Sequence, residues 1–134
     1  MGDIRIALQF EFNVPDKLPK IDKVYFGNRF CALRFIDKAS SIIPIAEKIK
    51  KLGAEAILCL PHAIRQSLLD EVLKIAENSL GYVDGIMSSD LGICKYFKDK
   101  TKVIYFGYVL NGLAAKVIVE RAAHILRPFP PLLE

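Results

Sequence analysis

Lys23-Val24-Tyr25-Phe26-Gly27-Asn28-Arg29-Phe30-Cys31-Ala32-Leu33-Arg34-Phe35 decides the fold. Val24 to Phe26 is β-branched and aromatic, which predicts a short buried strand. Gly27 and Asn28 follow as turn residues that tolerate positive φ. Arg29, Cys31 and Arg34 then arrive together where the buried strand gives way to exposed backbone. In α/β proteins that handover is where ligand crevices form.

Strand and helix signals alternate on both sides of this stretch. Ile4 to Phe12 alternates and predicts a first strand, broken by Asn13-Val14-Pro15-Asp16 and kept from helix by Pro19. The link to the strand Lys23–Gly27 is short for a parallel crossover, so its helix is expected to be missing or reduced. Ser40 and Ser41 are candidate caps for a helix with Ile42, Ile45, Ile49 and Leu52 on one face and Gly53 as its stop. Ala56 to Leu60 predicts a strand apolar on both faces. Gln66 to Leu80 predicts a helix, Tyr82 to Met87 a fourth strand, and Ser88-Ser89-Asp90 the caps of a short helix to Phe97. Lys102 to Phe106 predicts a fifth strand. Asn111 is the expected cap of a last helix, Gly112 to Leu126, with Leu113, Val117, Ile118, Ala122, Ile125 and Leu126 as its apolar face. Residues 127–134 form a Pro-rich apolar tail, expected to pack on the protein's own core or on a partner.

This order predicts an α/β fold, residues 1–134 forming one domain with a mostly parallel sheet of about five strands and flanking helices. Closing a barrel conventionally takes eight strands, so the expected form is a partial TIM-barrel-like unit whose open edges require a second copy or a partner chain.

The composition narrows the function classes. Hydrophobic residues make up 52% and charged residues 25%, which describes an ordered globular chain. No apolar run is long enough to span a membrane, and Met1-Gly2-Asp3-Ile4-Arg5 is not an apolar targeting segment, so a cytoplasmic location is expected. Cys31, Cys59 and Cys94 are odd in number and lack paired spacing, which argues against a disulfide framework or a self-contained zinc site. A net charge of +4 favours anionic partners, but scattered Lys and Arg weigh against nucleic acid.

If the strand ends share one rim, it gathers Glu11, Asn28, Cys31, Arg34, His62, Ser89, Asp90, Tyr108 and Asn111. The Arg34 fork suits a carboxylate or phosphate, against a salt bridge to Glu11 or Asp37. His62 reads as a general base or as a loop residue bonded to backbone. Asp90 and Asn111 read as helix caps before they read as chemistry. Tyr108 lines a pocket or packs. No Ser–His–Asp or Cys–His–Asn set emerges from the spacing, so catalytic residues stay unassigned.

Val24-Tyr25-Phe26-Gly27 followed by Cys31 and Arg34 resembles the signature region of the collagenase-like peptidase family, most closely its ubiquinone-hydroxylation branch. Ser89-Asp90-Leu91-Gly92 and the segment Ile104 to Asn111 extend the resemblance over most of Asp22 to Asn111. It implies a TIM-type barrel core, an accessory role in a hydroxylation or related modification pathway, and Arg34 as a ligand contact. It also implies Cys31 as a ligand of a [4Fe–4S] cluster. The family's other three cysteines lie beyond the matched stretch, so a partner would have to supply them. The alternative is a non-catalytic, dimeric interaction or scaffold module.

Overall fold

In a computed structural model, residues 5–109 and 111–128 are described. They form six strands and five helices: β1 (Ala7–Gln9), β2 (Lys23–Gly27), α1 (Ala32–Asp37), α2 (Ile42–Lys51), β3 (Glu55–Cys59), α3 (Gln66–Ser79), β4 (Gly85–Ser88), α4 (Leu91–Phe97), β5 (Lys102–Gly107), α5 (Gly112–Arg121) and β6 (Ile125–Pro128). A 3-10 turn, Ala39–Ser41, leads into α2. All strands are parallel and pair in chain order, β1 to β6. The sheet curls into a half-barrel with its helices outside.

The strand period of two sorts side chains onto two faces. Val24 and Phe26 of β2, Ala56 and Leu58 of β3, Ile86 of β4, and Val103 and Tyr105 of β5 point outward. They pack with Phe35, Ile42, Ile49, Val72, Ala76, Phe97 and Ile118 from the helices. Tyr25, Ile57, Cys59, Met87 and Ile104 point into the concavity and form a second buried cluster, flanked by Phe106. At the strand starts, Lys23 and Lys102 both pair with Glu55, at 3.8 and 3.1 Å, which places charge at that end of the concave face.

The starts of alternate strands share one device. Asp22, just before β2, accepts the Ile6 amide at 2.8 Å, and Asp84, before β4, accepts the Ala56 amide at 2.8 Å. His124, before β6, accepts the Val103 amide through Nδ1 at 3.0 Å. Each side chain satisfies a backbone donor in the preceding strand or, for Ile6, one residue before it, and pins the register of the pair.

Several boundaries differ from the sequence reading. The first strand is confined to Ala7–Gln9, and the link 10–22 has no helix, as expected; Val14 and Ile21 of that link are buried in the outer core. Ala32–Asp37 adds an unforeseen helix, α1, which buries Ala32 and Phe35. Neither Ser40 nor Ser41 caps α2 through its side chain. The fourth strand is Gly85–Ser88. The last helix stops at Arg121 rather than Leu126, because residues 125–128 pair along β5 as a sixth strand, Ile104 with Ile125 and Phe106 with Arg127. Adjacent Ile125 and Leu126 then face opposite ways, and Leu126 joins the outer core. Arg127 and Pro128, assigned to the tail, belong to this strand, while the rest of that tail lies outside the described residues. Leu113 and Val117, expected inward, are 72% and 43% exposed; of α5 only Ile118 is buried.

Gly27 is required by geometry. Its φ is +123°, and a Cβ there would lie 2.5 Å from the Cys59 carbonyl oxygen of the neighbouring strand. Gly27→Ala is expected to cost at least about 2 kcal/mol in urea unfolding, from backbone strain and the clash together. A loss below about 0.5 kcal/mol would show that the strands part easily there.

Candidate functional site

The chain leaves β2 through Gly27 and Asn28 into a loop locked from three sides. The buried Asn28 does not adopt positive φ; its Oδ1 accepts the amides of Phe30 and Cys31 at 2.9 and 2.8 Å. His62, after β3, donates its amide to the Arg29 carbonyl at 2.9 Å, and its Nδ1 lies 2.6 Å from the same oxygen. The His62 ring also meets Phe30 edge-on, with centroids 5.8 Å apart. The local sequence thus spends Asn28 and His62 on holding Arg29 and Phe30 in place.

What they hold is a guanidinium aimed over the concave face. The Arg29 guanidinium carbon lies 4.5 Å from the Phe106 ring centroid and 4.8 Å from that of Phe30. Its Nε is buried and has no hydrogen-bond partner among the described residues. From the opposite side of the half-barrel, Arg127 of β6 reaches the same region, 4.8 Å from the Phe106 centroid and 4.6 Å from that of Tyr25. Its Nη1 donates to Gln9 Oε1 of β1 at 3.4 Å, so one side chain crosses the gap between the two sheet edges. A contact from Nη1 to Met87 Sδ, at 3.6 Å, seats it on the inner cluster.

Two like charges therefore converge on one aromatic ring, and among the described residues neither pairs with a carboxylate. Burial pulls the Arg29 guanidinium below its usual pKa, and the charge of Arg127 adds to that direction. Beneath them, burial pushes the Cys59 thiol up to about 12, against the pull of both arginines. Two hollows open beside Arg29 and Phe30. One, of about 420 Å³, is lined by His62, Ser89, Tyr105, Gly107 and Tyr108. The other, of about 330 Å³, is lined by Gln9, Phe10, Glu11, Gly27 and Asn28.

The residues singled out from sequence divide accordingly. Glu11, Asn28, His62 and Tyr108 do line this mouth. Arg34 sits on α1 and pairs with Glu11 at 3.5 Å, both side chains more than half exposed, a pair worth at most about 1 kcal/mol. Asp90 caps α4 by accepting the Ile93 amide at 3.0 Å, and Asn111 caps α5 by accepting the Ala114 amide at 2.8 Å. Cys31 is exposed at the start of α1, whereas Cys59 and Cys94 are buried. The Cys94 thiol is also pushed up to about 12, chiefly by burial. Among the described residues no three His, Cys, Asp or Glu side chains group as metal ligands. They do not by themselves fit a [4Fe–4S] cluster, which needs four ligands. The sequence alone points to Arg34 rather than Arg29 as a ligand contact and leaves Arg127 in a tail; the signals for Arg29 are its place at the strand end and the lack of a nearby acidic residue on either side.

No family model, curated protein or solved structure matches this chain.

The thiols give a direct check of this arrangement. In the folded protein only Cys31 should react with a water-soluble disulfide reagent, and Cys31→Ser should abolish the reaction. Reaction of Cys59 without denaturant would mean that the cover over the concave face opens readily.

Proposed function

We propose that this chain is an accessory or subunit-type protein that binds a small anion at the strand-end mouth of its half-barrel. Arg29 and Arg127 are the primary contacts. The observation that carries this reading is the unpartnered, buried Nε of Arg29 beside a second guanidinium with no carboxylate counterpart among the described residues. Desolvating a cation without a counter-charge is costly, and a bound anion removes that cost. Asn28 and His62 are positioning residues for the Arg29 loop. Glu11 and Arg34 form a charged flank, and Tyr108 a wall. This reading assigns no reaction to the chain.

A role in a hydroxylation or related modification pathway, with a partner, belongs to the same proposal. It is supported by the signature-like Val24–Gly27 stretch leading into the mouth and by exposed Cys31 on the same loop. A [4Fe–4S] cluster at Cys31 would take its remaining ligands from that partner. A partner or a second copy also fits the unclosed sheet: β1 and β6 are both edges, and Leu113 and Val117 are exposed on α5, the helix that leads into β6. The dimeric scaffold is the alternative, favoured by the same edges if the mouth binds nothing.

Isothermal titration with sulfate at neutral pH tests the reading. One site per chain with a dissociation constant of about 1 mM, near 4 kcal/mol, is expected. Arg29→Met or Arg127→Met should each weaken it at least about tenfold, the loss of charge-assisted hydrogen bonds. Sulfate binding that both variants retain would sink the site. Sedimentation of the same samples reads the partner arm: a dimer supports self-association through the edges, and a monomer directs the search to another chain.

A further inference from the structure

The mouth has a chemistry more specific than a preference for negative charge. Two guanidiniums lie over a single ring, Phe106, at 4.5 and 4.8 Å, and neither is ion-paired with a carboxylate among the described residues. A monoanion would leave one of these charges uncompensated, whereas a single dianionic head matches both. Tetrahedral phosphate suits two forks that converge on one ring, since each fork can present parallel N–H donors to two oxygens.

The space beside Arg29 describes the rest of the ligand. The hollow of about 420 Å³ is walled by Phe30, Tyr105 and Tyr108, with His62 and Ser89 as its other polar side chains. Its lining contains no carboxylate. Phe30 is 68% exposed, held by Arg29 on its face and by the His62 ring at its side. An exposed aromatic fixed in this way is a stacking surface for a flat ring rather than a core residue. The second hollow carries Glu11, whose charge is directed to Arg34, which makes it the less suitable side for an anion.

We infer that the ligand of this mouth is an aryl or heterocyclic phosphate monoester, its dianionic phosphate held by Arg29 and Arg127 and its flat ring lying against Phe30 in the hollow lined by Tyr105 and Tyr108. This rests on the anion site described above. It adds the charge state, the geometry of the head group and the nature of the body.

Phenyl phosphate and phenyl sulfate separate these claims, because they share shape and differ in ionisation. The phosphate monoester becomes a dianion above its second pKa of about 6, and the sulfate ester stays a monoanion. At pH 8 phenyl phosphate should bind the wild-type protein at least about tenfold more tightly than phenyl sulfate. That ratio should fall towards one by pH 5, and Arg29→Met or Arg127→Met should remove it at pH 8. The groups facing the mouth that could themselves respond to pH are Glu11, Tyr25, Cys59, His62, Tyr105 and Tyr108, with Arg34 as the remaining charge. Phenyl sulfate experiences all of them equally, so the ratio isolates the ligand's own ionisation. Phe30→Ala should weaken phenyl phosphate at least about threefold while leaving inorganic sulfate unchanged, as loss of a stacking contact requires. Equal binding of the two esters at pH 8 would overturn the dianion inference while leaving an anion site standing. Equal loss of inorganic sulfate and phenyl phosphate in Phe30→Ala would overturn the stacking role. Failure of sulfate and both esters to bind would remove the anion site itself.

Discussion

The strand-end mouth depends on two positive charges stacked over one aromatic ring. On the inner wall of the six-stranded half-barrel, Ile57, Cys59, Met87 and Ile104 are almost fully buried. Side chains from opposite parts of the sheet supply the cover. Arg29 comes down from the loop after β2, Arg127 comes across from β6, and both meet Phe106. Cation–π attraction is worth roughly 0.5–2 kcal/mol for each such contact, so the rings offset part of what like-charge repulsion and lost hydration cost. The remainder is the cost that the proposed anion would remove.

The rest of the fold can be understood as what puts those two side chains in register. Gly27 lets β2 turn sharply against the Cys59 carbonyl, Asn28 ties the following amides, and His62 anchors the Arg29 carbonyl. On the other side, the Phe106–Arg127 pairing and the His124 contact to Val103 fix β6 on β5, so Arg127 falls on the inner face. Its hydrogen bond to Gln9 then joins the first strand to the last. The side chain that spans the open gap thus also supplies half of the positive charge of the mouth.

The alternating apolar patterns made the parallel α/β sheet legible from sequence, as did Gly27, whose positive φ follows from the turn it makes. Ile42, Ile45 and Ile49 declared the buried face of α2 by their spacing. Asp90 and Asn111 were readable as caps because their position before an apolar run has a local cause. The site was less legible because its causes are not local. Arg127 acquires its role only by pairing with β5, and Ile125 with Leu126 continues a helical pattern until that pairing overrides it. Arg34 attracted attention through its place in the signature-like stretch, yet α1, which sequence did not reveal, turns it towards Glu11 on the surface. Arg29, five residues earlier, carries the buried and unpartnered nitrogen.

Urea unfolding of the wild type and Arg127→Met, with and without sulfate, tests most directly whether the guanidinium pair serves a ligand rather than the stability of the empty fold. In anion-poor buffer the variant should be as stable as the wild type or more so, because a like-charge contact has been removed. Sulfate at about a hundred times its dissociation constant should then add about 2.7 kcal/mol to the wild type and far less to the variant. A variant that loses more than about 2 kcal/mol without sulfate, beside a wild type that sulfate does not stabilise, would contradict the claim and make Arg127 a structural clasp.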